Sequence, residues 1–483
     1  LSLYCVGYNF RVMPNHSPET ERVLQVLRGA VRGTEYAGKL FLVGGFVRDQ
    51  VLGLPSGKDD IDIVFEGDAL ALARFLREQG VADFEPVVYP KFGTAMVVVK
   101  GRDIEIVTAR TESYSPESRK PEVEPGTLAD DAKRRDFTMN TLLQSLETGE
   151  ITDPLGLAFA DIDAKIVRTP TDPLLTFQDD GLRMLRAVRF AARFGYQIHP
   201  VTWKAMRQRA TRINDVNPDR TRVISYERIR EEFCKTLLTT RAPLGLELLN
   251  DSGLLTQFAP ELAAMVGVTQ NEFHAYPVWE HTLLALGNLS PDASLILRLA
   301  TLCHDIGKPS AKGIGDDGRV HFYGHAEAGA EITRKLMNRL KFSNDEITAV
   351  VKLVAQHMRI GEYKPLWTDA AVRRLIRDLG PHLDNLFEIH RVDVSALSPD
   401  HRDISRASEL RARMAPIQEA QDICALTSPL DGQELMARLG LKPGKQLGAV
   451  KEYLVNEVVE GRLALDDKEG AEKLARAYLK VNK

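Results

Sequence analysis

Leu42-Val43-Gly44-Gly45-Phe46-Val47-Arg48-Asp49 reads as a strand that breaks at two glycines and enters a helix, and Asp60-Ile61-Asp62-Ile63-Val64 follows shortly after. Adjacent glycines let backbone N–H groups approach an anion, and a helix start adds a favourable dipole. In the second run, strand alternation puts Asp60 and Asp62 on one face, with Ile61 and Ile63 on the other. Like charges side by side on a strand repel, so they need solvent around them or a cation between them. A hard divalent cation that also takes phosphate oxygens is the natural solution. Glu105, flanked by Ile104 and Ile106, offers a third carboxylate on another strand. On pattern alone, a solvated acidic strand and an ordinary glycine turn stay open as readings.

Outward from this pair, Ser17-Pro18-Glu19 signals a helix start, and the helix should run to about Gly33. Leu40 to Val43, Ile61 to Phe65, Met96 to Val99 and Ile104 to Val107 are β-rich runs, with a helical stretch over 68–79 between them. The texture up to about Thr152 is that of an α+β or α/β domain. Residues 111–131 are polar and punctuated by Pro116, Pro121, Pro125 and Gly126, which predicts a long loop. Beyond Asp172 helical periodicity dominates. Pro and Gly cluster near residues 245 and 400, and Ser398-Pro399-Asp400 reads as a turn. No solenoid-length repeat or low-complexity tract is visible.

The 483 residues, 44% hydrophobic and 27% charged, are ordinary for a protein of about three domains with sizeable cores. A net charge of −4 excludes a basic nucleic-acid coat or an acidic disordered tail as the whole protein. The distribution is uneven. Residues 183–242 hold 14 Lys/Arg against 5 Asp/Glu, a local +9, so the remainder carries −13. One basic segment in an acidic chain suits a localised polyanion site as well as a solvated arginine-rich helix face. No apolar run approaches the ~18–20 residues that cross a bilayer, and the first ten residues lack the flanks of a secretory leader. Cys5, Cys234, Cys303 and Cys424 have no paired spacing. They are expected to be reduced thiols in a cytoplasmic protein without membrane contact.

Lys133-Arg134-Arg135-Asp136-Phe137-Thr138-Met139-Asn140 completes a set. With the Gly-Gly-x-Val-Arg-Asp and Asp-x-Asp runs, in that order, it resembles the bacterial and eukaryotic class of tRNA nucleotidyltransferases. Bacterial poly(A) polymerases belong to the same family. The similarity continues through Asp153-Pro154-Leu155-Gly156, residues 179–193 and 221–238, and into the tail, covering most of the chain.

The resemblance implies a fold: an α+β, polymerase-beta-like nucleotidyltransferase head (22–152), an all-α neck (153–245), an HD-type body (246–400) and a helical tail (401–483). It also implies a reaction, template-independent addition of CCA to a tRNA 3′ end from CTP and ATP with two Mg²⁺ ions. Asp60 and Asp62 are the expected metal ligands, with Glu105 as the third catalytic acid. Gly45 through its backbone and Arg48 through its fork of donors are expected at the triphosphate. Arg135, Asp136 and Asn140 resemble nucleotide-site residues.

Asp179-Asp180-Gly181-Leu182-Arg183 is expected to open a helix on which Asp180 and Arg183 hydrogen-bond the base edge, accepting C and A. The family usually has Glu-Asp where Asp179-Asp180 stands. Arg183, Arg186, Arg189 and Arg193 form one stripe of that helix, expected to face the nucleotide and the acceptor end. Residues 221–228 resemble a neck motif thought to brace this helix. Segment 110–131 matches a flexible loop that tends to be shortened in enzymes adding only CC; its full length here points towards terminal A addition. Division of labour with a second enzyme, adding only CC or only A, remains open. Poly(A) polymerase activity is disfavoured by the short, mixed-charge C-terminal stretch 465–483.

His281, His304-Asp305-Ile306-Gly307-Lys308, His325, His357 and Asp393 form a second constellation. Imidazoles with carboxylates make a mixed N/O set suited to a divalent transition metal or Mg²⁺. His304 to Lys308 resembles the signature of HD-type metal-dependent phosphohydrolases, which implies a metal of unspecified identity and a possible second, phosphoester-cleaving activity. That the phosphohydrolase is the principal activity, with a head that only binds nucleotide, is the reading from a different class. Leu441-Lys442-Pro443-Gly444-Lys445 reads as a helix–helix turn, with contact to tRNA implied by resemblance only.

Overall fold

The computed structural model describes residues 16–54, 61–113, 122–316, 318–420, 423 and 426–482. Asp60, Cys5 and Cys424 lie outside them. The chain forms two compact units, 1–260 and 261–483.

The first unit begins with α1 (Pro18–Val31), where the Ser17 hydroxyl accepts from the Thr20 amide at 3.1 Å, as its Ser-Pro-Glu start predicts. A seven-stranded sheet follows. Its strands are β1 (Leu40–Val43), β2 (Ile61–Phe65), β3 (Val87–Tyr89), β4 (Thr94–Val99), β5 (Arg102–Thr108), β8 (Leu143–Ser145) and β9 (Ile151–Thr152), in the spatial order β3-β4-β5-β2-β1-β8-β9. Only β2 and β5 pair in parallel; the other neighbours are antiparallel. Helices α2 (Gly45–Val51) and α3 (Ala69–Glu78) fall between strands. One sheet face is apolar: Ile61, Ile63, Ala95, Val97, Val99, Ile104 and Ile106 are buried, and α3 packs on β4 and β5. The alternate residues occupy the opposite face, which carries the carboxylates.

Of the stretch expected as a long loop, residues 114–121 lie outside the described residues, and the rest is largely regular. Strands β6 (Arg110–Ser113) and β7 (Glu122–Pro125) pair as an antiparallel ribbon, and α4 (Leu128–Lys133) follows. A Thr127/Asp130 capping box starts that helix, a local signal the loop reading overlooked. Helices α5 (Ala158–Asp163), α6 (Pro173–Asp179), α7 (Leu182–Phe194), α8 (Pro200–Arg209) and α9 (Tyr226–Leu237) build the neck. Helix α7 buries Met184, Leu185, Ala187, Val188, Phe190 and Ala191, leaving its arginines on the remaining face.

The second unit is helical apart from a two-stranded ribbon, Gly313–Ile314 with Val320–His321. Among its helices, Val278–Gly287, Leu295–Cys303, His325–Arg339, Asn344–Gln356 and Leu383–Ser395 carry or border the histidines and aspartates singled out above. The predicted turn near Ser398 is a short 3-10 turn, Pro399–His401. A separate cluster of Leu430, Leu435, Val450, Leu454 and Ala471 forms the core of the tail helices. Among the described residues, no helix is long and apolar enough to cross a membrane.

Candidate active site and metal centre

The register of β2 against β5 makes Asp62 and Glu105 direct neighbours on the open sheet face. Asp62 is half-buried and Glu105 exposed. The glycine turn at the end of β1 sits beside them. Gly44 adopts φ +74°, a conformation costly for any residue with a side chain. A Cβ there would lie 3.5 Å from Asp62 Oδ2 and 3.6 Å from Arg135 Nη1. The missing side chain therefore keeps open a cradle between a carboxylate and a guanidinium. Arg135 is aimed by Asp131, which accepts from Arg135 Nε at 3.0 Å and from Arg134 Nε at 2.8 Å. Burial opposes ionisation of Asp131, but the Arg135 and Arg134 charges outweigh it and hold its carboxyl below the ordinary range. A donor set of carboxylates only, next to a cationic cradle, fits a hard divalent cation and a phosphate.

Other expected site residues are placed differently. Arg48 is only 4% exposed. Its guanidinium donates to Asp49 at 2.7 Å and to Asn140 Oδ1 at 2.8 Å, and stands over the Phe190 and Phe194 rings. That makes it a brace inside the first unit, not an open fork for triphosphate. Asn140 in turn donates to Asp136 at 2.8 Å, and Arg186 donates to Asp136 at 2.7 Å. Burial disfavours the Asp136 carboxylate, yet Arg186 and the Asn140 hydrogen bond bring its pKa down to about 2. Arg189 donates to Glu232 at 2.6 Å and Arg193 pairs with Asp49 at 2.9 Å. The arginine stripe of α7 exists as expected, but three of its four guanidiniums are joined to acids of this chain.

The expected base-selecting pair straddles the start of a helix. Asp180 is not inside a helix: α6 ends at Asp179, Asp180 is extended (φ −144°, ψ 105°), and α7 starts at Leu182. Its carboxylate caps α7 by accepting from the Leu182 amide at 2.9 Å, and also accepts from Arg228 at 3.0 Å. Arg183 donates to the Arg134 carbonyl at 2.9 Å, which ties α7 to the motif holding Arg135.

In the second unit, all six expected ligands converge. Asp393 Oδ1 lies 2.9 Å from His281 Nε2 and 3.6 Å from His304 Nε2. Asp305 Oδ2 is 3.2 Å from His304 Nε2, and Asp305 Oδ1 is 3.6 Å from His325 Nε2 and 3.9 Å from His357 Nε2. The Nδ1 atoms of His304, His325 and His357 each meet a backbone carbonyl, of Thr301, Phe322 and Val354. Donation there fixes the tautomer and turns the Nε2 lone pairs inward, the arrangement of metal-ligating imidazoles.

His304 Nε2 is buried without a hydrogen bond of good geometry, and Asp305 Oδ2, 3.2 Å from it, faces the Lys308 ammonium at 2.7 Å; a divalent cation would engage both atoms. Burial pushes the His357 imidazole down to about 4, which suits a neutral ligand. Although burial opposes it, the neighbouring Asp305 and Asp393 carboxylates raise the His304 imidazole to about 10. The site opens into a cavity of about 950 Å³ lined also by Lys308, Arg319, His321, Tyr323 and Arg359.

Comparison with known proteins identifies the domains and their relatives. The family described as "Poly A polymerase head domain" matches residues 40–168, "Probable RNA and SrmB- binding site of polymerase A" matches 195–266, and "HD domain" matches 272–415. A CC-adding tRNA nucleotidyltransferase of Thermus thermophilus is 33% identical over 444 residues, 91% of this chain and 92% of that protein. The chain belongs to the tRNA nucleotidyltransferase family. An A-adding tRNA nucleotidyltransferase of Deinococcus radiodurans is 34% identical over 364 residues, 74% of this transferase and 79% of that one. The crystal structure of a Bacillus stearothermophilus CCA-adding enzyme in complex with CTP shares the fold, with a TM-score of 0.64 at 23% identity, over 96% of this chain and 99% of that one.

Three residues of the transferase escaped sequence reasoning. Glu232, buried on α9, collects Arg189 and Arg186. Its position four residues after Arg228 was a helical-face signal, but nothing local named its partners on α7. Asp131 sat inside the supposed loop. Lys308, quoted as part of the HD run, places Nζ 2.7 Å from Asp305 Oδ2 and was assigned no role.

Proposed function

We propose that this transferase completes or repairs the 3′-terminal CCA of tRNA, taking C from CTP and A from ATP. The observation that carries the reading is the Asp62–Glu105 pair beside the Gly44 cradle and Arg135. The RNA 3′-hydroxyl attacks the α-phosphate in line and pyrophosphate leaves. Asp62 and Glu105, with Asp60, would hold two Mg²⁺ ions, which when bound stabilise the attacking and leaving oxygens. Gly44 and Gly45 leave room for the triphosphate, and Arg135, aimed by Asp131, neutralises its charge. Arg183, tied to the Arg134 carbonyl, presents its remaining donors to the incoming base together with Asp180, whose capping role holds the start of α7 in place. Because Arg48, Asn140, Asp136, Arg186 and Arg189 are linked through buried hydrogen bonds and ion pairs, they act on the nucleotide by fixing α7 against the head. The functional division remains head 22–152, neck 153–245, body 246–400 and tail 401–483, with a cytoplasmic place of action.

Complete CCA addition is favoured by the full length of segment 110–131, within which strands β6 and β7 pair. The names of the two relatives support a second reading, in which this chain adds only CC or only A. Purified protein incubated with Mg²⁺, CTP, ATP or both, and tRNA ending at the discriminator base, at C or at CC, separates these. Addition of CCA followed by a stop supports the main reading. Extension of only one substrate class supports the second, long A tails indicate poly(A) synthesis, and no incorporation into any tRNA overturns the assignment.

The body carries a second proposed activity, hydrolysis of phosphoesters. His281, His304, Asp305, His325, His357 and Asp393 would hold a divalent ion, which when bound lowers the pKa of a water for attack. The supporting observation is the convergence of these side chains, with Asp305, His325, His357 and Asp393 lining the cavity. Release of phosphate from RNA ends, lost on His304→Ala with CCA addition intact, is the test.

A further inference from the structure

We propose that the exposed apolar flank of the head sheet, formed by Met96, Val87 and Tyr89, seats the 3′-terminal nucleoside of the acceptor RNA. The proposal rests on the transferase reading above and adds where the attacking strand lies.

Register places the flank. Asp62 pairs with Glu105, Glu105 with Met96, and Met96 with Val87, so the four residues form one row on one sheet face. Tyr89, two residues beyond Val87, shares that face. Half of the row is carboxylate and the other half is apolar and open: Met96 is 36% exposed, Val87 55% and Tyr89 45%. Strand β3 is exposed at all three of its residues and ends the sheet. An exposed apolar edge strand is costly for a soluble protein unless something uses it.

Sheet order decides the occupant. The carboxylates stand on the adjacent inner strands β2 and β5. On one side lies β1, with the Gly44 turn and Arg135, where phosphate is accommodated; on the other lie β4 and β3. In-line displacement requires the attacking hydroxyl and the leaving pyrophosphate on opposite sides of the reacting phosphorus. Pyrophosphate on the β1 side therefore puts the RNA end on the β5–β4 side. With neighbouring strands about 4.8 Å apart, Met96 lies about 5 Å and Val87 about 10 Å from Glu105 across the sheet. A ribose whose 3′-oxygen is at the carboxylates lays its own base over that stretch. Apolar and aromatic side chains accept any base face, which suits an end that is successively a discriminator base, C and C. The exposed Lys91, in the turn just after Tyr89, is placed for the preceding phosphate.

The test uses the full-length protein with Met96→Asp, Val87→Asp and Tyr89→Ala, all at exposed positions, with thermal melts confirming folding. The Michaelis constant for tRNA is expected to rise about tenfold while that for CTP stays unchanged, and Met96→Leu keeps the wild-type value. Independently of turnover, tRNA carrying 4-thiouridine as its last nucleotide is irradiated on the protein and the adduct mapped by mass spectrometry. Adducts within residues 87–96 support the proposal. Unchanged tRNA constants, or adducts confined to other elements, overturn it while leaving CCA addition standing. Variants that change only self-association in light scattering assign the flank to a second copy of this chain, which also overturns it. A wild-type protein that extends no tRNA sinks the functional reading instead, and the adduct map still decides the flank.

Discussion

Replacing Glu232 by alanine removes the one carboxylate that gathers Arg189 at 2.6 Å, Arg186 at 3.8 Å and Lys235 at 3.9 Å. Glu232 is 3% exposed and Arg189 is largely buried, so neither partner regains full hydration when the other is lost. Breaking a buried ion pair by deleting one member costs about 3–5 kcal/mol, because it strands the other charge. Arg186 is partly open to solvent and keeps Asp136, which argues for the lower end, about 3 kcal/mol. At about 2–4 °C per kcal/mol for a unit of this size, the first unit should melt about 6–12 °C lower. Glu232→Gln retains an acceptor of the same shape and should cost about 1–2 kcal/mol. Differential scanning calorimetry of wild type and both variants is the assay. A second readout is discrimination of CTP against UTP, which should weaken because α7 loses its anchor to α9. An alanine variant that melts with the wild type would falsify the reasoning, since Arg186 and Arg189 would then be solvated without Glu232.

Asp62→Ala should abolish nucleotide incorporation and leave the melting temperature within error, since the role proposed for this half-buried acid beside Glu105 is catalytic; residual incorporation would remove it from the reaction. Arg183→Ala should relax the preference for C and A, measured as misincorporation of UTP and GTP, and unchanged selectivity would count against its base-facing role. His304→Ala should strip divalent metal from the second unit, read by elemental analysis of dialysed protein, while tRNA extension continues at the wild-type rate. Asp136 has its folded pKa depressed to about 2, so its stabilising contribution is present above the ordinary carboxylate value near 4 and is lost as pH falls towards 2. Asp136→Asn should flatten that part of the acid-unfolding curve, and an identical acid limb would show that the Arg186 pair does not stabilise the fold.

Much of the transferase is written locally. The alternation around Ile61 and Ile63 placed Asp62 on the open face, and the register with β5 then put Glu105 beside it. Ser17-Pro18-Glu19 and the arginine spacing along α7 were legible for the same reason: caps and periodicities depend on residues within a turn or two. The histidines and aspartates of the body were recognisable as a ligand set before their convergence was visible.

Pairings were not legible. Arg48 stands in a motif that suggests an open anion site, yet Phe190, Phe194 and Asn140, far along the chain, enclose it and take up its donors. Asp180 and Arg183 have helical spacing, but the helix starts after Asp180, whose side chain does the capping. The 110–131 segment looked like loop because it is polar and punctuated by Pro116, Pro121, Pro125 and Gly126, whereas the pairing of its short strands β6 and β7 depends on residues nine or more positions apart. Sequence by itself determined most of the elements, the open face with its acids, and the candidate metal-ligating set, since those follow from local periodicity and side-chain chemistry. Tertiary structure alone decided which charges meet substrate and which are consumed within the chain, because a guanidinium or carboxylate is committed by whichever opposite charge the fold brings within about 3 Å, whatever its sequence neighbours are.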